Sequence, residues 1–73
     1  MNIGNLIHRI TFLPDYHVFI YTGHDLSSVS YELWRGKSHD IPVKYIGYEV
    51  KDWNFWSEVE HGTLTIVVNE SYR

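Results

Sequence analysis

Five histidines in 73 residues make a dense set of imidazoles, and most have a carboxylate close by in sequence. Asp15 stands two residues before His17, Asp40 follows His39, Asp25 follows His24 and Glu60 precedes His61. Imidazole and carboxylate without sulfur form an acceptable zinc shell. The metal-ligand candidates are His8, His17 and His39, which the topology derived below places near one end of the sheet. No two of them have the i, i+4 spacing that puts two ligands on one helix face, so surface histidines in turns are the competing reading. Ser38-His39-Asp40 holds a nucleophile, a base and an acid, but sequence neighbours rarely face one another productively. No elbow glycines surround the serine. Glu58 and Glu60 fall at an open hairpin tip where desolvation has little hold. A chain this small also has little material to wall off a pocket. The expectation is a protein that is not an enzyme.

Binding chemistry is concentrated in Tyr48 to Val68, YEVKDWNFWSEVEHGTLTIVV, which reads as a long β-hairpin. Two of the three tryptophans, Trp53 and Trp56, lie in it. Residues 49–60 contain Glu49, Asp52, Glu58 and Glu60 against Lys51 alone, so the whole net charge of -3 arises there. Exposed aromatics are enriched in binding hot spots, and a carboxylate fringe favours a partner bearing Arg and Lys. The candidate contact residues are therefore Asp52, Trp53, Trp56, Glu58 and Glu60, with Trp34 as an outlier. In the competing reading the rings cover a second small core built from Ile41, Tyr45 and Trp34 beneath a short helix.

The elements that position these residues follow from apolar spacing. Ile3, Leu6, Ile7 and Ile10 form one stripe of a short amphipathic helix, capped by Asn2 and ended by about Thr11 because Pro14 forces Leu13 out of helical geometry. Along Tyr16–Thr22, Val18 and Ile20 face one side and His17, Phe19 and Tyr21 the other. Gly23-His24-Asp25 supplies turn chemistry. Ser27–Trp34 then alternates, with Val29, Tyr31 and Leu33 on a dry face and Trp34 on the opposite one. Asp40 is expected to cap a second short helix, with Pro42 in its first turn and Gly47 as a left-handed stop. The last hairpin turns near Ser57–Gly62 and returns through Leu64, Ile66 and Val68. Trp53, Phe55 and Trp56 break alternation with Val50, so a bulge or a wide loop is expected there.

The predicted architecture is α+β: an N-terminal helix packed on a four-stranded, mainly antiparallel sheet in the order αββαββ, one domain over residues 1–73. An up-and-down arrangement puts both hairpin turns at the same end. His24 and His61 then share that end, and His8, His17 and His39 share the other.

Composition narrows the classes further. A domain of this size sits at the low end of what folds alone, so a metal, a partner or self-association could supply part of its stability. The absence of Cys rules out disulfides and favours a reducing cytoplasm. The first ten residues lack a signal-peptide pattern and no apolar run is long enough to span a membrane. Mild acidity, with only Arg35, Lys37 and Lys44 as a basic neighbourhood, argues against direct nucleic-acid binding.

The opening MNIGNLIHRI, the middle GKSHDIPVKYIGYEV and the closing GTLTIVV resemble small accessory proteins of phages and prophages. Within that class the MNI-x-x-LI-x-x-I start is similar to an inhibitor of type II CRISPR effector nucleases. The resemblance implies a stoichiometric anti-CRISPR protein, acting in the host cytoplasm, that binds the guide-RNA-loaded nuclease and blocks DNA engagement or activation. The alternatives are a self-associating phage structural or regulatory module, which would be a homo-oligomer, and a small zinc-binding protein of other function.

Overall fold

The computed structural model describes residues 1–69. Helix α1 spans Ile3–Arg9 and begins on a reciprocal cap. Asn2 Oδ1 accepts the Asn5 backbone N–H at 2.8 Å, and Asn5 Oδ1 accepts the Asn2 N–H at 3.1 Å. Ile3, Leu6 and Ile10 are buried while His8 and Arg9 are exposed, so the predicted stripe is the packed face. Gly4 costs helix propensity, but a β-carbon there would lie 2.7 Å from Ile46 Cγ2. Its small size lets α1 approach the second helix.

Four strands follow: β1 (His17–Asp25), β2 (Ser28–Lys37), β3 (Val50–Glu58) and β4 (His61–Val68). A 3-10 turn at Ser38–Asp40 and helix α2 (Val43–Ile46) separate the two hairpins. The class is α+β as expected, but the sheet is mixed. Its order is β2-β1-β4-β3, with two antiparallel outer pairs and a parallel central pair, β1–β4. The physical reason lies in the two central strands. Val18 and Ile20 of β1 and Leu64 and Ile66 of β4 are all fully buried. Placing these two most apolar strands side by side puts their aliphatics under the helices, and the chain direction makes that pairing parallel.

The parallel pair reverses one expectation about the ends. The tip of the second hairpin lies with the start of β1 and the end of β2, and the first hairpin turn lies at the opposite end. His61 therefore falls toward the His17 end, away from His24.

The core lies between this sheet and the helices. Ile3, Leu6, Ile10, Tyr16, Val18, Ile20, Tyr45, Leu64, Ile66 and Val68 form one cluster. Trp34, Ile41 and Tyr48 pack against the same cluster, so among the described residues they belong to this one core rather than to a second. Gly62 sits beneath two side chains, since a β-carbon there would lie 2.7 Å from Leu13 Cδ1 and 2.9 Å from Phe55 Cζ.

Local expectations differ from the structure where bulges intervene. Register shifts between β1 and β2 fall at Ile20/Tyr21, Thr22/Gly23 and Gly23/Asp25. They disrupt the alternation expected of β2, leaving Val29 and Tyr31 exposed while Leu33 and Trp34 both pack toward the core. Gly23, with φ 154°, is a strand residue at one of these shifts, and the turn itself is Leu26-Ser27. Asp40 does not cap α2. It ends the 3-10 turn, and Pro42 takes the cap position without a side-chain bond. Gly47 stops α2 at φ −85°, in right-handed geometry.

Candidate functional site

Residue register across the sheet decides which side chains meet. Val50 lies opposite Val68, but the next pair is Asp52 opposite Val67, so the expected bulge falls at Lys51, upstream of the aromatics. From Asp52 to Glu58 the pairing is regular. Trp53 and Phe55 stand opposite Ile66 and Leu64, on the helix-covered face, and Trp56 stands opposite Thr63 on the other face. The two tryptophans of this hairpin therefore point to opposite sides of one edge strand. Trp53 is 42% exposed and Trp56 is 56% exposed, so each keeps about half of its surface in solvent.

The face away from the helices carries Trp56, Thr63, His17 and Lys37 in one row. Asn54, Thr65, Phe19 and Arg35 form the next row, and Asp52, Val67, Tyr21 and Glu32 the one after. Arg35 lies 5.1 Å from the centre of the Phe19 ring. It also forms a forked pair with Glu32, at 2.8 Å from Nη2 and 2.9 Å from Nε. That pair holds the Glu32 carboxyl below its ordinary range, chiefly through the hydrogen bonds from Arg35.

Beyond Trp56 the hairpin ends in Glu58-Val59-Glu60. Val59 is 90% exposed and adopts φ +46°, a left-handed conformation that a β-branched side chain adopts only under strain. Glu58 and Glu60 are exposed and form no ion pair among the described residues. Sequence reasoning missed Val59. The signal was present, because the tip Glu-Val-Glu-His offers neither Gly nor Asn where a two-residue turn needs positive φ.

The remaining candidates are used differently. Asp52 Oδ2 accepts the Leu26 backbone N–H at 3.0 Å, so this acid serves its own fold. Trp34 packs against the core and lies over Gly36, where a β-carbon would come within 2.7 Å of the indole. It belongs to the packing of β2 rather than to an exposed patch.

His8, His17 and His39 are all exposed. Among the described residues, no group of three or more His, Cys, Asp or Glu side chains is placed to hold a metal ion. His39 faces acids instead, with Nδ1 3.2 Å from Asp15 and Nε2 3.6 Å from Asp40. Asp15 is the centre of this cluster. It accepts from Ser38 Oγ at 2.6 Å, from the Ser38 N–H at 3.1 Å and from the Tyr16 N–H at 3.0 Å. These bonds, the Ser38 hydroxyl first, hold its carboxyl down at about 2. Ser38 thus donates to Asp15 rather than to His39, which is the geometry of a loop clamp and not of an activated nucleophile.

No family model matches this chain, and neither curated proteins nor solved structures give a match. Among the described residues no helix is long and apolar enough to cross a membrane.

Proposed function

We propose that this protein acts by binding, without turnover, to a larger protein, and that the tip of its second hairpin makes the contact. Trp56, Glu58, Val59 and Glu60 form the centre of that surface, and Trp53 adjoins it on the far side of β3. The observation that carries this reading is Val59, an apolar side chain held out in a strained backbone between two carboxylates that form no ion pair among the described residues. Strain of order 1–3 kcal/mol persists only where the surrounding structure over-determines it, and such positions cluster at functional sites. An aromatic and aliphatic knob with an acidic fringe suits an apolar socket ringed by Arg and Lys.

The sequence resemblance to phage accessory proteins makes a type II CRISPR effector nuclease, loaded with guide RNA, the first partner to test. In this reading the protein acts in the bacterial cytoplasm and occludes a surface the nuclease needs for DNA engagement or activation. The acidic excess is too small to imitate a run of phosphates, so steric blockade accounts for inhibition better than mimicry of DNA.

The test is co-elution of the two purified components on a sizing column, followed by a DNA-cleavage assay. The expected result is a stable complex and inhibition that saturates at a fixed stoichiometry. Trp56→Ala and Glu58→Lys should each weaken the complex by about tenfold or more. Absence of both complex and inhibition at large excess would remove the nuclease as partner. A complex indifferent to both substitutions would remove the hairpin tip as its contact surface.

A further inference from the structure

The two edges of the sheet are built differently. An edge strand exposes unpaired backbone groups, and proteins blunt it with bulges, charges, proline or a covering segment. Three register shifts interrupt the β1–β2 ladder, two of them with the extra residue on β2, and Glu32, Arg35 and Lys37 stud that strand. From Asp52 to Glu58, β3 has no shift, no proline and no glycine. Its one lysine, Lys51, is bonded to the Gly23 carbonyl at 3.0 Å. The N-terminal residues cover only the start of the edge. The Val50 N–H donates to the Met1 carbonyl at 2.9 Å, and Asn2 bridges to Glu49. Among the described residues the edge is open from Lys51 to Glu58, longer than the typical strand of about 5–6 residues.

We propose that a second copy of this chain closes the edge, with the two β3 strands antiparallel about a two-fold axis through Asn54. The result is one continuous sheet through both copies. The register selects this occupant and this axis. Asn54 then faces itself, and two amides can exchange hydrogen bonds. Trp53 faces Phe55 of the second copy, and Phe55 faces Trp53. Because both lie on the helix-covered face, four rings cluster across the junction. Asp52 faces Trp56, and Lys51 faces Ser57, so no like charges are opposed. Moving the axis to Phe55 would set Asp52 opposite Glu58, which is destabilising. With the axis at Asn54 only the terminal Glu58 falls opposite Val50, whose N–H Met1 holds; moving the axis to Trp53 would set Trp56 opposite Val50 and shorten the ladder at both ends.

The test needs the protein alone. Sedimentation at increasing concentration should shift from monomer to dimer. Asn54→Lys places two like charges opposite one another at the axis and should raise the dimer dissociation constant on the order of tenfold. The chain has no cysteine, so an introduced one is its only thiol. Asn54→Cys should form a disulfide dimer with oxidised glutathione under native conditions, because opposed residues lie about 4.5–5.5 Å apart between Cα atoms. Ser28→Cys, on the other edge, should not. A wild type that stays monomeric throughout would overturn the proposal. So would a dimer unaffected by Asn54→Lys, or cross-linking of Ser28→Cys as rapid as that of Asn54→Cys. No partner protein enters these measurements, so their outcome is independent of nuclease binding.

Discussion

The carboxylate of Asp52 accepts the backbone N–H of Leu26 at 3.0 Å, tying the edge strand of one hairpin to the turn of the other. Lys51 reinforces the link by donating to the Gly23 carbonyl. The edge strand β3 shares no ladder with β1 or β2, so these bonds join it directly to the first hairpin, which otherwise meets the second only through the β1–β4 pair. Asp52→Ala should therefore reduce stability by about 0.5–1.5 kcal/mol, the range for one net hydrogen bond. Urea denaturation would measure it. If Asp52 is instead a partner contact alone, stability should not change.

Val59 separates folding from binding. With φ +46°, valine bears a steric cost that glycine does not. Val59→Gly should raise stability by about 0.5–1 kcal/mol, the relieved strain exceeding the added freedom of the unfolded chain. The same change deletes the exposed knob and should weaken partner binding. Denaturation and binding measured on one preparation should move in opposite directions; a loss of both would show that Val59 serves the fold.

Acid should act through Asp15. Its folded carboxyl titrates at about 2, below the ordinary 3.8, so the group binds protons more readily in the unfolded chain. Its contribution is thus present above about pH 4 and is lost as pH falls toward 2. Asp15→Asn should melt below the wild type at neutral pH, and the gap should narrow across that acid window. A gap that stays constant with pH would assign the loss to the changed Ser38 contacts rather than to charge.

Trp34 should report on stability. It packs on the core and over Gly36. Trp34→Ala should cost about 2–4 kcal/mol, less than a fully buried tryptophan would because the ring is partly exposed. Thermal unfolding would measure this. A stable Trp34→Ala protein with impaired binding would restore the ring to the contact surface.

Local chemistry was legible wherever a short stretch was sufficient. Asn2 with the stripe Ile3, Leu6, Ile10 defined α1, and the alternation of Leu64 and Ile66 with Thr65 defined β4, because capping and periodicity act over a few residues. The exposure of Trp53 and Trp56 was also legible, as so small a domain has little interior for twelve aromatic rings. Tertiary structure decided the rest. Which strands become neighbours depends on how the aliphatic faces of β1 and β4 share one set of helices, and no local pattern records that. The parallel pairing then set the end at which each turn lies, moving His61 toward His17. The bulges at Lys51 and along β2 changed which face each later side chain occupies, sending Trp34 to the core and giving Trp53, rather than Trp56, the helix-covered face. Such shifts are the compromise between twisted strands and a shared core, and that compromise exists only once all four strands are assembled.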